Sequence, residues 1–247
     1  MKQIFLYLFL LTFPFYSCQN QQSAEQIVTQ AIEYAGGDRF NQSHISFSFR
    51  DKHYEVSRKK GEWKMSRTYQ DSSLLVQDVY LPKGFQRKIN GAKVAVADSM
   101  AFKYMESINS VIYFALLPYK LNDPAVIKEN LGKEKIEGKA YYKIQVGFKE
   151  EGGGEDFQDE FIYWFDVEDY SLDYLAYSFQ VNGGGMRFRR AYNERFVQGI
   201  RFVDYVNYKP TKSDVPLVSL ARLHQENKLE ELSNIKLESI EVRTLSN

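Results

Sequence analysis

Residues 4–16 form an apolar run broken only by Thr12 and Pro14, with Lys2 ahead of it and the polar Gln19-Asn20-Gln21-Gln22-Ser23 behind. As a helix this run covers about 20 Å, short of the roughly 30 Å of hydrocarbon that a spanning segment crosses. The pattern predicts an export signal. From Ser23 the apolar period becomes helical. Ser23 can serve as N-cap, Ala24, Ile27, Val28, Ala31 and Ile32 share one face, and Gly36-Gly37 ends the element.

The period then falls to two. Ile45, Phe47 and Phe49, followed by Trp63 and Met65 with Tyr69 further on, read as strands with one buried face. Asn90-Gly91 is a hairpin signal between residues 85–89 and 93–97, and Gly61, Glu137-Gly138 and Asn182-Gly183 mark further tight connections. A second helix is expected from Asp98 or Ser99 through Ala101, Phe102, Met105 and Ile108 towards Leu116-Leu117, ending at Pro118. Strands are expected over residues 141–148, 160–166, 172–181, 186–193, 196–208 and 234–242, with a short helix over 217–225. About ten strands in consecutive hairpins predict one large antiparallel sheet, curled or closed.

Both faces of several strands are apolar. Leu172, Tyr174 and Ala176 alternate with Leu175, Tyr177 and Phe179, whereas a sheet with one wet face would alternate apolar with polar. Helices can cover one face while the other lines a cavity, or a closed barrel can be filled by its own side chains. Periodicity leaves both open.

Composition narrows the functions. Among the 247 residues, 32 Lys and Arg balance 32 Asp and Glu, so there is no basic surplus to replace phosphate counterions, and nucleic acid is not an expected partner. Apolar residues make up 44%, enough for a core. A single cysteine cannot form an internal disulfide or a thiolate-rich metal site. That cysteine, Cys18, follows the apolar run directly, and Ser17-Cys18 resembles the cleavage and acylation site of a bacterial lipoprotein precursor. The expected organisation is a signal over residues 1–17, a lipid-anchored tether over 18–22 and one domain over 23–247, carried by the membrane without spanning it. The sequence also resembles lipoproteins of Bacteroidota, in which surface export tends to follow acidic residues just after the cysteine. Gln19-Asn20-Gln21-Gln22 has none, so that resemblance implies the periplasmic face of the outer membrane.

Candidate catalytic chemistry is sparse. His44, His53 and His224 read as surface residues, and no metal or cofactor is expected. The acidic stretch from Glu150 to Glu160 invites a calcium or glycosidase reading, but Gly152-Gly153-Gly154 makes it a solvated hairpin tip. Gly183-Gly184-Gly185 precedes an alternating strand, not a helix N-terminus, so Arg187, Arg189 and Arg190 read as a basic outer face and as candidate contacts for an anionic group.

Leu117-Pro118-Tyr119-Lys120-Leu121, the hairpin over residues 136–144, and Tyr163-Trp164-Phe165-Asp166 with Leu172-Asp173-Tyr174-Leu175 resemble a family of Bacteroidota lipoproteins. They are also similar to the lipoprotein carrier and receptor (LolA/LolB-like) superfamily of outer-membrane sorting. That resemblance implies an α+β, mainly β fold: an open, curved antiparallel half-barrel with a few helices covering its concave side. It implies a non-enzymatic apolar site, for which Trp63, Met65, Trp164, Tyr177 and Phe188 are the candidates, facing a lipid, an acyl chain or a lipidated partner. The alternatives are a structural subunit of an envelope complex with a filled core and, last, a hydrolase built on the acidic loop.

Overall fold

The computed structural model describes residues 22–59, 62–151, 157–180 and 183–245. The apolar run, Cys18, Gly61, residues 152–156 and Asn182 lie outside them.

Helix α1 (Ala24–Ala35) starts as its sequence dictates. Ser23 Oγ accepts from Gln26 N at 3.1 Å while Gln26 Oε1 accepts from Ser23 N at 3.0 Å, a capping box that satisfies two otherwise unpaired N–H groups. Strands β1 (Ser43–Phe49), β2 (Lys52–Lys59), β3 (Glu62–Asp71), β4 (Leu74–Leu81), β5 (Gly84–Ile89) and β6 (Ala92–Val94) follow, and then helix α2 (Asp98–Ala115). Beyond it come β7 (Val126–Ile136), β8 (Lys139–Phe148), β9 (Glu160–Asp166), β10 (Leu172–Phe179), β11 (Gly185–Val197) and β12 (Ile200–Pro210). A short helix, α3 (Leu220–Gln225), precedes β13 (Leu229–Ile235) and β14 (Glu238–Thr244).

The turns follow local chemistry. Asn90 and Gly91 have φ of 48° and 83°, and Glu137 and Gly138 have 51° and 85°, so each pair supplies the two positive values that a two-residue hairpin of matching twist requires. Gln198 and Gly199, at 50° and 77°, do the same and cut the single strand expected over residues 196–208 into the end of β11 and the start of β12. Strand β7 departs from the expected pattern because charged and polar residues fall on both of its faces. It is an edge strand, where such residues discourage pairing with another chain.

All neighbouring strands pair antiparallel, in two open sheets of seven that do not close into a barrel. The first runs β14-β1-β2-β3-β4-β5-β6 and the second β13-β12-β11-β10-β9-β8-β7. The large sheet expected from the hairpin series is thus divided, and β13 and β14 carry the chain from the edge of one half to the edge of the other. A buried carboxylate holds this seam: Asp204 accepts from Leu237 N at 3.0 Å, Arg195 Nη2 at 2.8 Å and Asn193 Nδ2 at 2.7 Å. It ties the bulge between Tyr192 and Arg195 to the crossing point.

Three apolar clusters organise the interior. On the inner side of the first sheet, Ile45, Phe47, Val56 and Met65 pack with Ile108 and Ile112 of α2. On the inner side of the second, Ile144, Phe161, Tyr163 and Leu175 pack with α1 and with Tyr113 and Phe114 of α2. The outer side of the second sheet is buried as well: Trp164 and Phe188 lie fully enclosed beneath Leu220 and Ala221 of α3. Two-sided burial explains the apolar character of both faces of β9 and β10. Each such enclosed side chain contributes about 1.5–3 kcal/mol.

Beneath α2 a fully buried carboxylate serves two cations. Asp78 accepts from Arg67 Nη2 at 2.6 Å and from Arg87 Nε and Nη2 at 2.6 and 2.9 Å, while Arg67 Nη1 donates to Ser107 Oγ at 3.0 Å. Removing the carboxylate strands two desolvated guanidinium groups. Asp78→Ala is therefore expected to cost about 3–5 kcal/mol in urea unfolding, far more than an exposed substitution such as Asp51→Ala.

His224 departs from its expected surface place. It packs on Phe188 and Tyr208 with ring centroids 4.9 and 5.0 Å away, and on Tyr174 at 6.1 Å. Burial lowers its pKa below 6.5, aided by Arg190 and opposed by Glu137, which faces it at 3.5 Å. A histidine whose folded pKa is depressed favours the fold when neutral, so its contribution is present above the unfolded value and lost as pH falls through about 6.5. Urea midpoints measured between pH 7.5 and 5 should fall for the native chain and fall less for His224→Gln.

Candidate functional site

Helix α2 lies between the two sheets, and its residues explain why. Ile108 and Ile112, one turn apart, face the first sheet, while Tyr113 and Phe114 turn towards the second. The Tyr113 hydroxyl meets the Tyr163 hydroxyl at 2.8 Å, a bond between two buried phenols that links helix to sheet. Burial raises the pKa of both well above the ordinary tyrosine range, so they act as neutral hydrogen-bonding groups.

Where the small side chains of Ser110 and Ala115 face the junction, packing is incomplete. A cavity of about 100 Å³ remains, lined by Val111, Phe114 and Ala115 of α2, Phe49 of β1, Val203 and Tyr205 of β12, and the crossing residue Leu237. One charged side chain, Arg189, enters this lining from β11. It is 8% exposed, its Cζ stands 4.1 Å from the Phe114 ring centroid and 5.1 Å from that of Tyr177, and its Nη2 donates to the Tyr177 hydroxyl at 2.8 Å. A larger groove of about 470 Å³ runs between α2 and the β5–β6 hairpin, with Phe85, Phe102 and Met105 beside Arg87 and Lys93.

The five apolar residues singled out from the sequence separate into three places. Trp63, edge-on to Tyr80 at 4.7 Å, and Met65 belong to the inner side of the first sheet. Tyr177 lies on the inner side of the second, against Phe114 and Arg189. Trp164 and Phe188 pack together, 5.8 Å between centroids, on the outer side beneath α3. Of the five, Tyr177 packs on Phe114 and accepts from Arg189, both of which line the cavity.

The three arginines separate too, in place of the single basic outer face expected of them. Arg187 donates to the Met186 carbonyl at 2.8 Å and covers the Phe179 ring. Arg190 shares the outer side with Phe188, two residues away, and Arg189 points inward. Alternation from Phe188 could have revealed the inward direction of Arg189, because a strand buried on both faces sends its odd and even residues to different interiors. The contributions of Val203, Tyr205 and Leu237 depend on the division into two sheets and carry no local signal.

Among the described residues no group of three His, Cys, Asp or Glu side chains gathers as for a metal ion, and no helix is long and apolar enough to cross a membrane.

Solved structures to which the chain is similar include a LolA superfamily protein from Nitrosomonas europaea, 14% identical, with 92% of this chain and 96% of that one aligned at a TM-score of 0.46. A DUF1329 family protein from Desulfovibrio piger is 12% identical over 88% of this chain and 92% of its own, with a TM-score of 0.47. The lipoprotein LppX of Mycobacterium tuberculosis is 12% identical over 64% and 87%, with a TM-score of 0.29. No curated protein matches in sequence. The model of the family described as "Family of unknown function (DUF6503)" matches residues 2–237, nearly the whole chain, and the chain belongs to that family.

Proposed function

We propose that this is a non-enzymatic binding protein of the cell envelope, anchored by a lipid on Cys18 and taking a lipid, an acyl chain or a lipidated partner between α2 and the sheets. The observation that carries the reading is the cavity of about 100 Å³ at the sheet junction, mostly apolar and bordered by a helix that is hydrogen-bonded to the second sheet through the Tyr113–Tyr163 pair. Ligand pockets are typically apolar with a few placed polar groups, and this one has Arg189 and Tyr205.

The start of the domain supports the anchor. Asn130 Nδ2 donates to the Gln22 carbonyl at 2.7 Å and Gln22 Nε2 donates to the Tyr170 hydroxyl at 3.1 Å, which attaches the chain to the second sheet from its first described residue. Cys18 stands four residues earlier, a reach of at most about 14 Å. An acylated Cys18 would hold the end of the second sheet carrying Asn130 and Tyr170 close to the bilayer, on the periplasmic face of the outer membrane in this reading.

A second reading, a packed scaffold in an envelope complex, is favoured by one observation: the junction cavity as it stands is smaller than the few hundred Å³ typical of ligand pockets. The two differ in ligand binding. Native mass spectrometry of gently extracted protein is expected to reveal a bound lipid, and a fluorescent fatty acid should bind the purified domain. Val203→Phe, which fills the cavity, should weaken that binding about tenfold or more without loss of β-structure in circular dichroism. Failure of both native mass spectrometry and the probe to detect any ligand would leave the scaffold. Cys18→Ala should move the protein from the membrane fraction to the soluble fraction, as read by fractionation and immunoblot.

A further inference from the structure

Three arginines are buried in the described structure, and two of them face carboxylates. Arg67 meets Asp78 at 2.6 Å, and Arg201 meets Asp173 at 3.4 Å and also bonds Glu194. Arg189 is nearly as enclosed, 8% exposed against 5% and 3%, yet no described carboxylate forms an ion pair with it. Its Nη2 is used by the neutral Tyr177 hydroxyl, its plane is covered by Phe114, and its Nε is buried without a hydrogen-bond partner. Ring contacts recover part of the cost of desolvating a cation, but an unused N–H and an unbalanced charge remain.

We infer that the junction cavity binds a single-chain carboxylate amphiphile, its head taken by the Nε–H edge of Arg189 and its tail by the apolar wall of Val111, Ala115 and Leu237. The inference rests on the apolar-ligand reading and names the ligand class for that site. The charge balance selects a monoanion, because one arginine with no neighbouring lysine is matched by one negative charge. Size limits the enclosed part of the ligand to a head group and a few methylenes, since the space is about 100 Å³. A guanidinium edge also matches a planar carboxylate in shape, and the bond is charge-assisted.

The test compares dodecanoate, dodecanol and dodecyl phosphate for displacement of a fluorescent fatty acid from the full-length purified protein and from Arg189→Met and Arg189→Lys variants. The expected result is dodecanoate binding about tenfold or more tighter than dodecanol. Arg189→Met is expected to abolish that preference while still binding dodecanol, and Arg189→Lys to restore part of it. Equal binding of acid and alcohol by the native protein would overturn the inference and leave the apolar-ligand reading standing. Preference for the phosphate would overturn the choice of carboxylate. Binding of none of the three would remove both the inference and the reading beneath it. The comparison of head groups on the native protein decides the matter even where Arg189→Met does not fold.

Discussion

The space between the sheets is arranged around a helix, α2, that must fit between them. An α-helix with its side chains is about 10–12 Å across, comparable to the spacing at which two sheets would pack directly on each other. With α2 inserted, the sheets are held apart along the helix and meet directly only near the seam, where Ile200 and Phe202 join the first sheet's cluster, while α1 covers more of the second sheet. Ile108 and Ile112 serve the first sheet, and Tyr113 and Phe114 serve the second. The cavity lies where this division of labour is incomplete, at the small residues Ser110 and Ala115 facing the seam. It follows from placing a cylinder between two twisted surfaces that diverge from one crossing point.

That crossing point is electrostatic. Asp204 gathers the backbone of Leu237, a guanidinium of the bulged strand and an amide, and so fixes where one sheet ends and the other begins. The same device recurs elsewhere, with Asp78 between Arg67 and Arg87 under α2, and with Asp166 bonded to Lys139 at the end of β9. Each buried charge in these places has an opposite charge within reach, as a low-dielectric interior demands. Arg189 departs from this rule, and it does so on the wall of the cavity.

Much of the fold was legible because its signals are local. Ser23 with Gln26, Asn90-Gly91 and Glu137-Gly138 announce a cap and two hairpins through the backbone geometry these residues favour. The helix ending near Pro118 and the strands around Tyr163 and Tyr174 were readable from their periods. The edge strand β7 was not, because a half-exposed strand with charges on both faces has no apolar stripe to detect. Neither was the division into two sheets. Residues 234–242 look like one strand, and only a contact distant in sequence, Asp204 with Leu237, breaks it.

The same distinction explains why the choice of site residues did not converge. Large apolar residues such as Trp63, Met65, Trp164, Tyr177 and Phe188 suit an apolar pocket, yet size and apolarity are what a filled core uses best. Trp164 and Phe188, both fully enclosed, complete the outer layer under α3, and Met65 completes the layer under α2. In a chain with 18 Phe and 18 Tyr, aromatic content therefore says little about where space remains. Space is left by small residues beside rigid ones, and its chemistry is set by the polar group that packing failed to satisfy. Ala115, Ser110 and Arg189 meet that description together, whereas none of the three is conspicuous alone. In a sheet buried on both faces, the informative residue is the polar one whose alternation turns it inward.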